Sequence, residues 1–153
     1  MKTISWLQSA YRTTSVNWAK SQQAIMKLLG DVGIEQIRFT NMADRHILEF
    51  VHKEEGKIPL GVRIATPLRT KTTDNPEKRN KELNVIHRIL FNHLKAKFLA
   101  IYAGLTEFEQ EFMAHLIITD KGGKSTTLGE QMLPQYHKHI EGGGGNFLLG
   151  DGK

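Results

Sequence analysis

The spacing of hydrophobic residues divides the first half of the chain into a helical part and a β part. Apolar residues recur every three or four positions across Trp18–Val32, which predicts an amphipathic helix capped by Asn17. After Gly33 they alternate with polar residues in three short runs, which predicts an antiparallel meander. The runs are 34–40, 45–51 and 58–65. A further strand is predicted over Tyr11–Asn17, so that the first helix would pack on a sheet of three or four strands.

Helical spacing returns after residues 66–76, a polar segment that we expect to form an exposed loop. A long helix is predicted to begin at Pro76, with Asn75 as its N-cap and Gly104 just beyond its end. Its apolar stripe consists of Leu83, Ile86, Leu90, Leu94 and Ile101, widened by Phe91 and Phe98. This stripe marks the side of the helix that packs on the rest of the domain.

The last third of the chain is predicted to hold two short helices separated by a small hairpin. Each helix begins at a capping-box pattern, in which a threonine and a glutamate stand three residues apart. The two pairs are Thr106 with Glu109 and Thr127 with Glu130. The hairpin would turn at Gly122-Gly123, the second helix would run toward Tyr136, and residues 141–153 form a Gly-rich tail that is expected to be flexible. We therefore predict a single α+β domain over residues 1–153.

Positive charge is concentrated in the middle of the chain. The formal net charge is +5, whereas residues 67–103 alone carry eight lysines and arginines against three acidic residues. Three of these cations, Lys81, Arg88 and Lys95, recur every seven residues on the face of the long helix opposite its apolar stripe. This pattern indicates a surface for a polyanion, or a solvated face that only keeps the protein soluble. Lys97 lies beside the stripe instead, and we expect its ammonium group to extend to solvent. The candidate nucleic-acid-binding residues are Arg69, Lys71, Lys78, Lys81, Arg88 and Lys95.

The residues able to carry chemistry show no catalytic signature. The chain has no cysteine, which excludes disulfides, thiolate metal sites and cysteine nucleophiles and fits a reducing compartment. Glu49 is expected on the opposite strand face from His46 and His52, and the segment DKGGKST lacks the spacing of a phosphate-binding loop. No apolar run is long enough to cross a membrane, so we expect a cytoplasmic protein without membrane contact. We predict no catalytic residue, no cofactor and no enzymatic activity.

Histidines in the last third of the chain raise the question of a metal site. Side chains of the type that binds zinc are offered by Glu111, His115, His137 and His139. Their spacing matches no zinc motif, and histidines near helix ends on the surface explain them more simply. We therefore predict no metal ligand, and keep this cluster only as a minor alternative.

The order of several short motifs carries a resemblance. A Tyr-Arg-Thr stretch leads into KSQQAIMKLLGDVGI, and GVRIATP is followed, after a polar loop, by LKAKFLAIYAGLTEFEQEFMAHL, TTLGEQMLPQY and FLL. This order resembles a group of small uncharacterised proteins encoded by bacteriophages and other mobile elements. The shared positions are Lys95-Ala96-Lys97, Gly104-Leu105, Thr106 with Phe108-Glu109, and Phe112-Met113-Ala114-His115. This chain inserts Glu107 into the pattern. The resemblance implies a phage or mobile-element setting and implies no reaction.

Two functional hypotheses follow from these observations. The leading hypothesis is a non-enzymatic accessory protein that associates with DNA or RNA mainly through phosphate contacts. The alternative is a small protein-binding adaptor or inhibitor that acts on a host or phage macromolecular machine. Its contact would use apolar side chains near the C-terminus, because aromatic and aliphatic anchors dominate protein interfaces. The candidate partner-binding residues are Tyr136, Phe147, Leu148 and Leu149.

Overall fold

The computed structural model of the chain describes residues 14–70 and 75–142. Its helices are α1 (Trp18–Asp31), α2 (Pro76–Tyr102), α3 (Phe108–Phe112) and α4 (Leu128–Glu141), with a 3₁₀ turn over Met113–His115. Its strands are β1 (Gln36–Asn41), β2 (Arg45–His52), β3 (Leu60–Pro67), β4 (Ile117–Thr119) and β5 (Ser125–Thr127). The predicted α+β architecture and the predicted order of helices, meander and hairpin are confirmed.

The main sheet is an antiparallel meander in the order β1-β2-β3. β4 and β5 form a separate hairpin, which turns at Gly122-Gly123 as predicted. The strand predicted over Tyr11–Asn17 is not confirmed. Its first three residues lie outside the described part, and residues 14–17 belong to no strand. The last of them is already engaged as a helix cap, because the Asn17 side chain accepts a hydrogen bond from the backbone of α1.

One hydrophobic core lies between the helices and one face of the main sheet. Strand alternation places Leu48 and Phe50 of β2 on that face, opposite Ile64 and Val62 of β3. The helices and the segment after α1 complete the cluster with Ile25, Leu29, Ile34, Leu90, Leu94, Phe98 and Phe112. Full burial of a side chain of this kind contributes about 1.5–3 kcal/mol, so this cluster is the main source of stability for the described fold.

The long helix α2 has the bounds that its sequence signals predict. Its N-cap, Asn75, accepts a hydrogen bond from the Glu77 amide at 2.9 Å, and Pro76 occupies the first turn. Beyond its end, Gly104 takes a φ of 71°, which glycine adopts without strain. Among the helices of the described residues, none combines the length and the apolar character that a membrane crossing requires.

The polar segment predicted as a loop over residues 66–76 is shorter than expected. Residues 66 and 67 close β3, and α2 begins at residue 76. The described part of the loop is also tied down, because Leu68 is buried and the Glu82 carboxylate accepts the amides of Arg69 and Thr70. Residues 71–74 lie outside the description.

The short helix α3 begins one residue later than its predicted capping box. Glu107, and not Thr106, is the N-cap, and its amide donates to Gln110 Oε1 at 3.3 Å. Glu107, the residue inserted into the motif, is therefore the N-cap, and the third helical residue that pairs with it is Gln110 instead of Glu109. Threonine is a preferred N-cap residue and glutamate is not, so residue preference led to the prediction of Thr106.

Candidate functional site

The predicted basic residues lie along the outer side of α2. Lys78, Lys81 and Lys95 are exposed, and Arg88 is half-buried. The run from Lys78 to Lys95 extends for about 25 Å at a rise of about 1.5 Å per residue. Arg69 is exposed in the loop before the helix, whereas Lys71 lies outside the described residues. The structure thus arranges four of the six candidates as one row, which we call the basic row (Lys78, Lys81, Arg88 and Lys95).

Two members of the basic row have partners within the helix. Lys81 Nζ lies 3.0 Å from the Glu77 carboxylate, and both groups are well exposed. Such a surface pair contributes at most about 1 kcal/mol, so an incoming phosphate can compete with it. The Arg88 guanidinium lies over the Phe91 ring at 5.4 Å, a contact that leaves its positive charge in place. The row therefore remains cationic.

Lys97 is a structural residue, and the expectation that it extends to solvent is wrong. Its ammonium group donates to the backbone carbonyl and to the carboxylate of Glu111, each at 2.9 Å, and lies over the Phe112 ring. Both side chains of the ion pair are largely buried. The pair joins α2 to α3, so this cation is not available to a polyanion.

The last helix, α4, exposes a continuous apolar surface. The predicted end near Tyr136 is wrong, since the helix continues to Glu141 with Pro134 inside it. Over this length four large apolar side chains recur at helical spacing, and each is between 42% and 56% exposed. They are Met132, Leu133, Tyr136 and Ile140, and we call them the α4 stripe. None of the residues of α4 is buried.

The first turn of α4 anchors the helix to the rest of the fold. Thr127 and Glu130 form the predicted capping box, which is confirmed, with the Thr127 amide donating to the Glu130 carboxylate at 2.9 Å. Gly129 packs so closely on the 3₁₀ turn that a Cβ atom there would lie 2.7 Å from the Ala114 carbonyl oxygen. The main contacts of α4 are with this turn and with β5. The α4 stripe thus begins beside the body of the fold and continues away from its anchor.

A groove of about 740 Å³ lies where the C-terminal ends of α1 and α2 meet the β2–β3 loop and the start of α3. We call this cavity the groove. Its apolar lining includes Val32, Leu60, Phe98, Ile101 and Phe108. Large apolar side chains also stand exposed at its margin, where Ile58 and Leu105 are 83% and 82% exposed. Its volume falls in the range of ligand pockets, about 300–1,000 Å³.

The margin of the groove is acidic. It carries the carboxylates of Glu54, Glu107 and Glu109 and one cation, Lys57, whose ammonium group pairs with Glu54 at 2.9 Å. The pKa of Lys57 is raised, first by this hydrogen bond and charge and further by the negative charges of Glu109 and Glu107. The electrostatic field at the margin therefore favours a positively charged ligand, although the protein as a whole is basic.

The other face of the main sheet holds a group of three charged side chains. Its centre is Glu49, the only carboxylate within the described strands. Arg38, Glu49 and Arg63 lie in register on β1, β2 and β3, and both guanidinium groups donate to Glu49. Burial pushes the pKa of Glu49 upward, but the hydrogen bonds from Arg63 and Arg38 outweigh it and the pKa is lowered. Glu49 does lie on the opposite face from His46 and His52, as predicted. It is held as a charged structural group.

Two histidines that the sequence did not single out as core residues are fully buried in contact with each other. The rings of His46 and His87 lie 4.2 Å apart, centre to centre. His87 donates from Nδ1 to the Leu83 carbonyl at 2.8 Å and accepts at Nε2 from Gln22. His46 donates from Nδ1 to Asn41 Oδ1 at 2.6 Å, while its Nε2 has no protein partner among the described residues. Both rings are therefore neutral.

The histidines near the C-terminus do not assemble with acidic residues. Within the described part of the chain, no three histidine, aspartate or glutamate side chains converge on a point that could hold a metal ion. Glu111 is engaged by Lys97 instead. Of the predicted partner-binding residues, Tyr136 belongs to the α4 stripe, whereas Phe147, Leu148 and Leu149 lie outside the described residues.

The remaining residues of the α4 stripe and the groove were missed by the sequence analysis. The spacing of three and four residues between Leu133, Tyr136 and Ile140 indicates the stripe in the sequence, whereas the groove joins segments that are distant in sequence.

Comparisons of the chain with models of protein families, with curated proteins and with solved structures found no match.

Proposed function

We propose that this protein is a non-enzymatic protein-binding module of the adaptor or inhibitor type, and that it contacts its partner through the α4 stripe. The supporting observation is the exposure of four large apolar side chains in a row on a helix that is held mainly at its first turn. Contiguous exposed apolar surface of this kind is typical of interaction sites, since scattered apolar residues would not share one face. The resemblance to small phage and mobile-element proteins implies a phage or mobile-element setting for this module.

The stripe has the properties of a helix that binds in a groove. Anchors at i, i+3 and i+7, here Leu133, Tyr136 and Ile140, are the usual contacts of an amphipathic helix with a partner. Tyr136 adds a large aromatic ring with a polar end, the kind of side chain that dominates binding energy at interfaces. The capping box at Thr127 keeps the helix formed before binding, which reduces the entropy lost on association.

Photo-crosslinking tests this proposal directly. We expect a benzophenone amino acid in place of Tyr136 to give a discrete covalent adduct in cells that express the protein, because the side chain lies in the contact. A second substitution, Leu133→Gln, should lower the adduct yield about tenfold, since loss of one interface anchor costs about 1.4 kcal/mol or more. The measurement is the adduct yield by immunoblot, with the partner identified by mass spectrometry.

The same probe at Leu99 serves as the control. This leucine is 59% exposed on α2, outside both the stripe and the groove, so random collisions should label it equally well. Equal adduct patterns from the probes at positions 136 and 99 would refute the proposed contact.

Nucleic-acid binding through the basic row is a second candidate, which the alignment of four cations along one side of α2 supports, three of them exposed. We expect weak binding with little sequence preference and a steep dependence on salt, since each phosphate contact releases bound counterions. The triple substitution Lys81→Ala, Arg88→Ala and Lys95→Ala should reduce the slope of log K against log salt by about three. Fluorescence anisotropy with labelled single- and double-stranded DNA at several salt concentrations measures this slope.

A charge-matched triple variant separates a site from net charge. Lys53, Lys121 and Lys124 are exposed away from the basic row, and their replacement by alanine removes the same total charge. If this control weakens DNA binding as much as the α2 triple variant does, the basic row is not a specific binding site and only the net charge matters. Absence of binding even at low salt would remove the candidate altogether.

A further inference from the structure

The margin of the groove exposes several large apolar side chains to solvent. Ile58, Tyr102 and Leu105 all line the groove, and their exposed fractions are 83%, 72% and 82%. Exposed apolar side chains gathered around one cavity are typical of a ligand site, whereas single ones scattered over a surface need no explanation. No described residue of α4 lines the groove, so this surface is separate from the α4 stripe and from the function proposed for it.

The interior of the groove is apolar and partly aromatic. Phe98 is 5% exposed and lines the groove together with Ile101 of the same helix. The ring of Phe108 stacks on the ring of His52, with 4.0 Å between their centres, and both residues belong to the lining. Such walls bind the apolar body of a ligand, and aromatic rings also attract an ammonium group.

The charge of the groove selects a cationic ligand. Its lining carries three carboxylates against one ammonium group, which leaves a net charge of −2. These groups belong to Glu54, Glu107, Glu109 and Lys57. The β2–β3 loop also holds Lys53 and Glu55 outside the lining, and because their charges are opposite the balance does not change. The excess of negative charge at the groove stands out on a chain whose formal net charge is +5.

The carboxylates at the start of α3 are the ones available to a bound cation. Lys57 Nζ lies 2.9 Å from the Glu54 carboxylate, so that carboxylate already has a partner. Glu109 is exposed and forms no ion pair with another described residue. The negative charges of Glu109 and Glu107 raise the pKa of Lys57 beyond the effect of Glu54, so their field favours an ammonium group at this margin.

We propose that the groove is a binding site for a small organic amine. The apolar body of the ligand lies against the walls formed by Phe98, Ile101 and Phe108, and its ammonium group lies at the margin beside Glu107 and Glu109. The volume of about 740 Å³ suits a small molecule. Walls of this kind supply the greater part of the contact area, and the few charged groups at the margin fix the orientation of the ligand.

Three probes that share one apolar body test the proposal. They are phenylbutylamine, phenylbutanol and phenylbutyrate, which are cationic, neutral and anionic at neutral pH. We expect the amine to bind about fivefold more tightly than the alcohol, as an exposed ion pair allows, and the carboxylate to bind most weakly. Titration followed by amide chemical shifts measures the affinities, and the shifts should fall within 57–60 and 101–110. Equal affinity for amine and alcohol, or amine-induced shifts elsewhere on the chain, overturns the proposal.

Two charge variants should act in opposite directions on the amine. Glu109→Gln should weaken its binding about threefold, because it removes an attractive charge, and Lys57→Gln should tighten it about threefold, because it removes a competing cation. Both side chains are exposed, so the substitutions keep the fold. The affinity for phenylbutanol should stay the same in both variants. Changes of the same sign for the amine contradict the proposed position of its ammonium group.

Glu77→Gln is the matched control for Glu109→Gln. It removes the same charge from the first turn of α2, 24 residues before Ile101 and therefore about 36 Å from the groove along the helix. The affinity for phenylbutylamine should stay at the wild-type value. If Glu77→Gln weakens binding as much as Glu109→Gln does, the amine responds to net charge alone and the proposal fails.

The apolar part of the site is tested by Ile58→Gln with Leu105→Gln. Both side chains are well exposed, so the variant keeps the fold, which circular dichroism checks. We expect it to weaken phenylbutylamine and phenylbutanol alike, each at least about threefold, since both ligands bury the same body. If the affinity for phenylbutanol is unchanged, the apolar margin does not contact the ligand and the proposal is overturned.

A peptide presents the same chemistry on a larger ligand. The comparison is a blocked tripeptide of phenylalanine, lysine and leucine, titrated in the same way. Affinity within about tenfold of that of phenylbutylamine supports a site for small amines, whereas a peptide bound more than about tenfold more tightly assigns the groove to a peptide and overturns the proposal.

Discussion

Acidification from about pH 7 to about pH 4 is expected to lower the free energy of unfolding by about 3 kcal/mol through His46 alone. Burial of its ring lowers the pKa of His46 from its ordinary 6.5 to about 4, and the neighbouring His87 acts in the same direction. Over this range the unfolded chain binds a proton that the folded chain does not. Stability is therefore complete above about pH 6.5 and is lost as the pH falls toward 4, at about 1.4 kcal/mol per pH unit.

The substitution His46→Phe isolates this contribution. Phenylalanine keeps an aromatic ring beside Phe39 and His87 and removes a buried nitrogen that has no protein partner, but it also removes the hydrogen bond to the exposed Asn41. We expect a cost of about 1 kcal/mol at neutral pH for that bond and a loss of most of the His46 part of the acid dependence, measured by urea unfolding at a series of pH values. Burial lowers the pKa of His87, His93 and His115 as well, so a smaller slope should remain.

The exposed His137 provides the comparison for His46→Phe. Replacement of His137 by glutamine should leave the acid dependence unchanged, since its side chain is in solvent on α4. An acid dependence that is the same in wild type and His46→Phe would show that the buried ring does not resist protonation.

The sequence was sufficient for elements whose signals are local. The bounds of α2 follow from Asn75, Pro76 and Gly104, and the cap of α4 follows from Thr127 with Glu130, because each signal acts within one turn of the chain. The meander followed from strict alternation in its strands. These features needed no information about which elements would meet.

Features that depend on distant segments were missed or wrongly assigned. Lys97 lies near the edge of the α2 stripe, and only the docking of α3 brings Glu111 within reach of its ammonium group. His46 and His87 occupy apolar positions of a strand and a helix, yet their contact depends on how the two layers align. The end of α4 was placed too early because Pro134 removes one backbone donor without preventing later residues from continuing the helix.

The groove is the clearest case of a site that exists only through tertiary packing. Its walls come from the residue after α1, the β2–β3 loop, α2 and α3, so no periodicity in one segment predicts it. It also depends on the buried residues beneath it. Phe112 holds α3 in place, and Phe108 of the same helix lines the cavity. A test of that support therefore tests whether the groove is formed.

Truncation of Phe112 is expected to cost about 4 kcal/mol of unfolding free energy, because removing a buried aromatic ring loses its transfer energy and leaves a cavity. The ring packs edge-on against Phe50 at 5.7 Å, contacts Phe98 and Phe108, and lies beneath the Lys97 ammonium group at 5.3 Å. Phe112→Ala breaks all four contacts, whereas Phe112→Leu fills part of the volume and should recover about half of the loss. Urea unfolding monitored by circular dichroism measures both.

The neighbouring Met113→Ala is the matched control for Phe112→Ala. Met113 is 54% exposed on the same segment, so its truncation should change stability by no more than about 0.5 kcal/mol. If Phe112→Ala costs no more than Met113→Ala, α3 is not packed on the core, and the groove that depends on it is not formed.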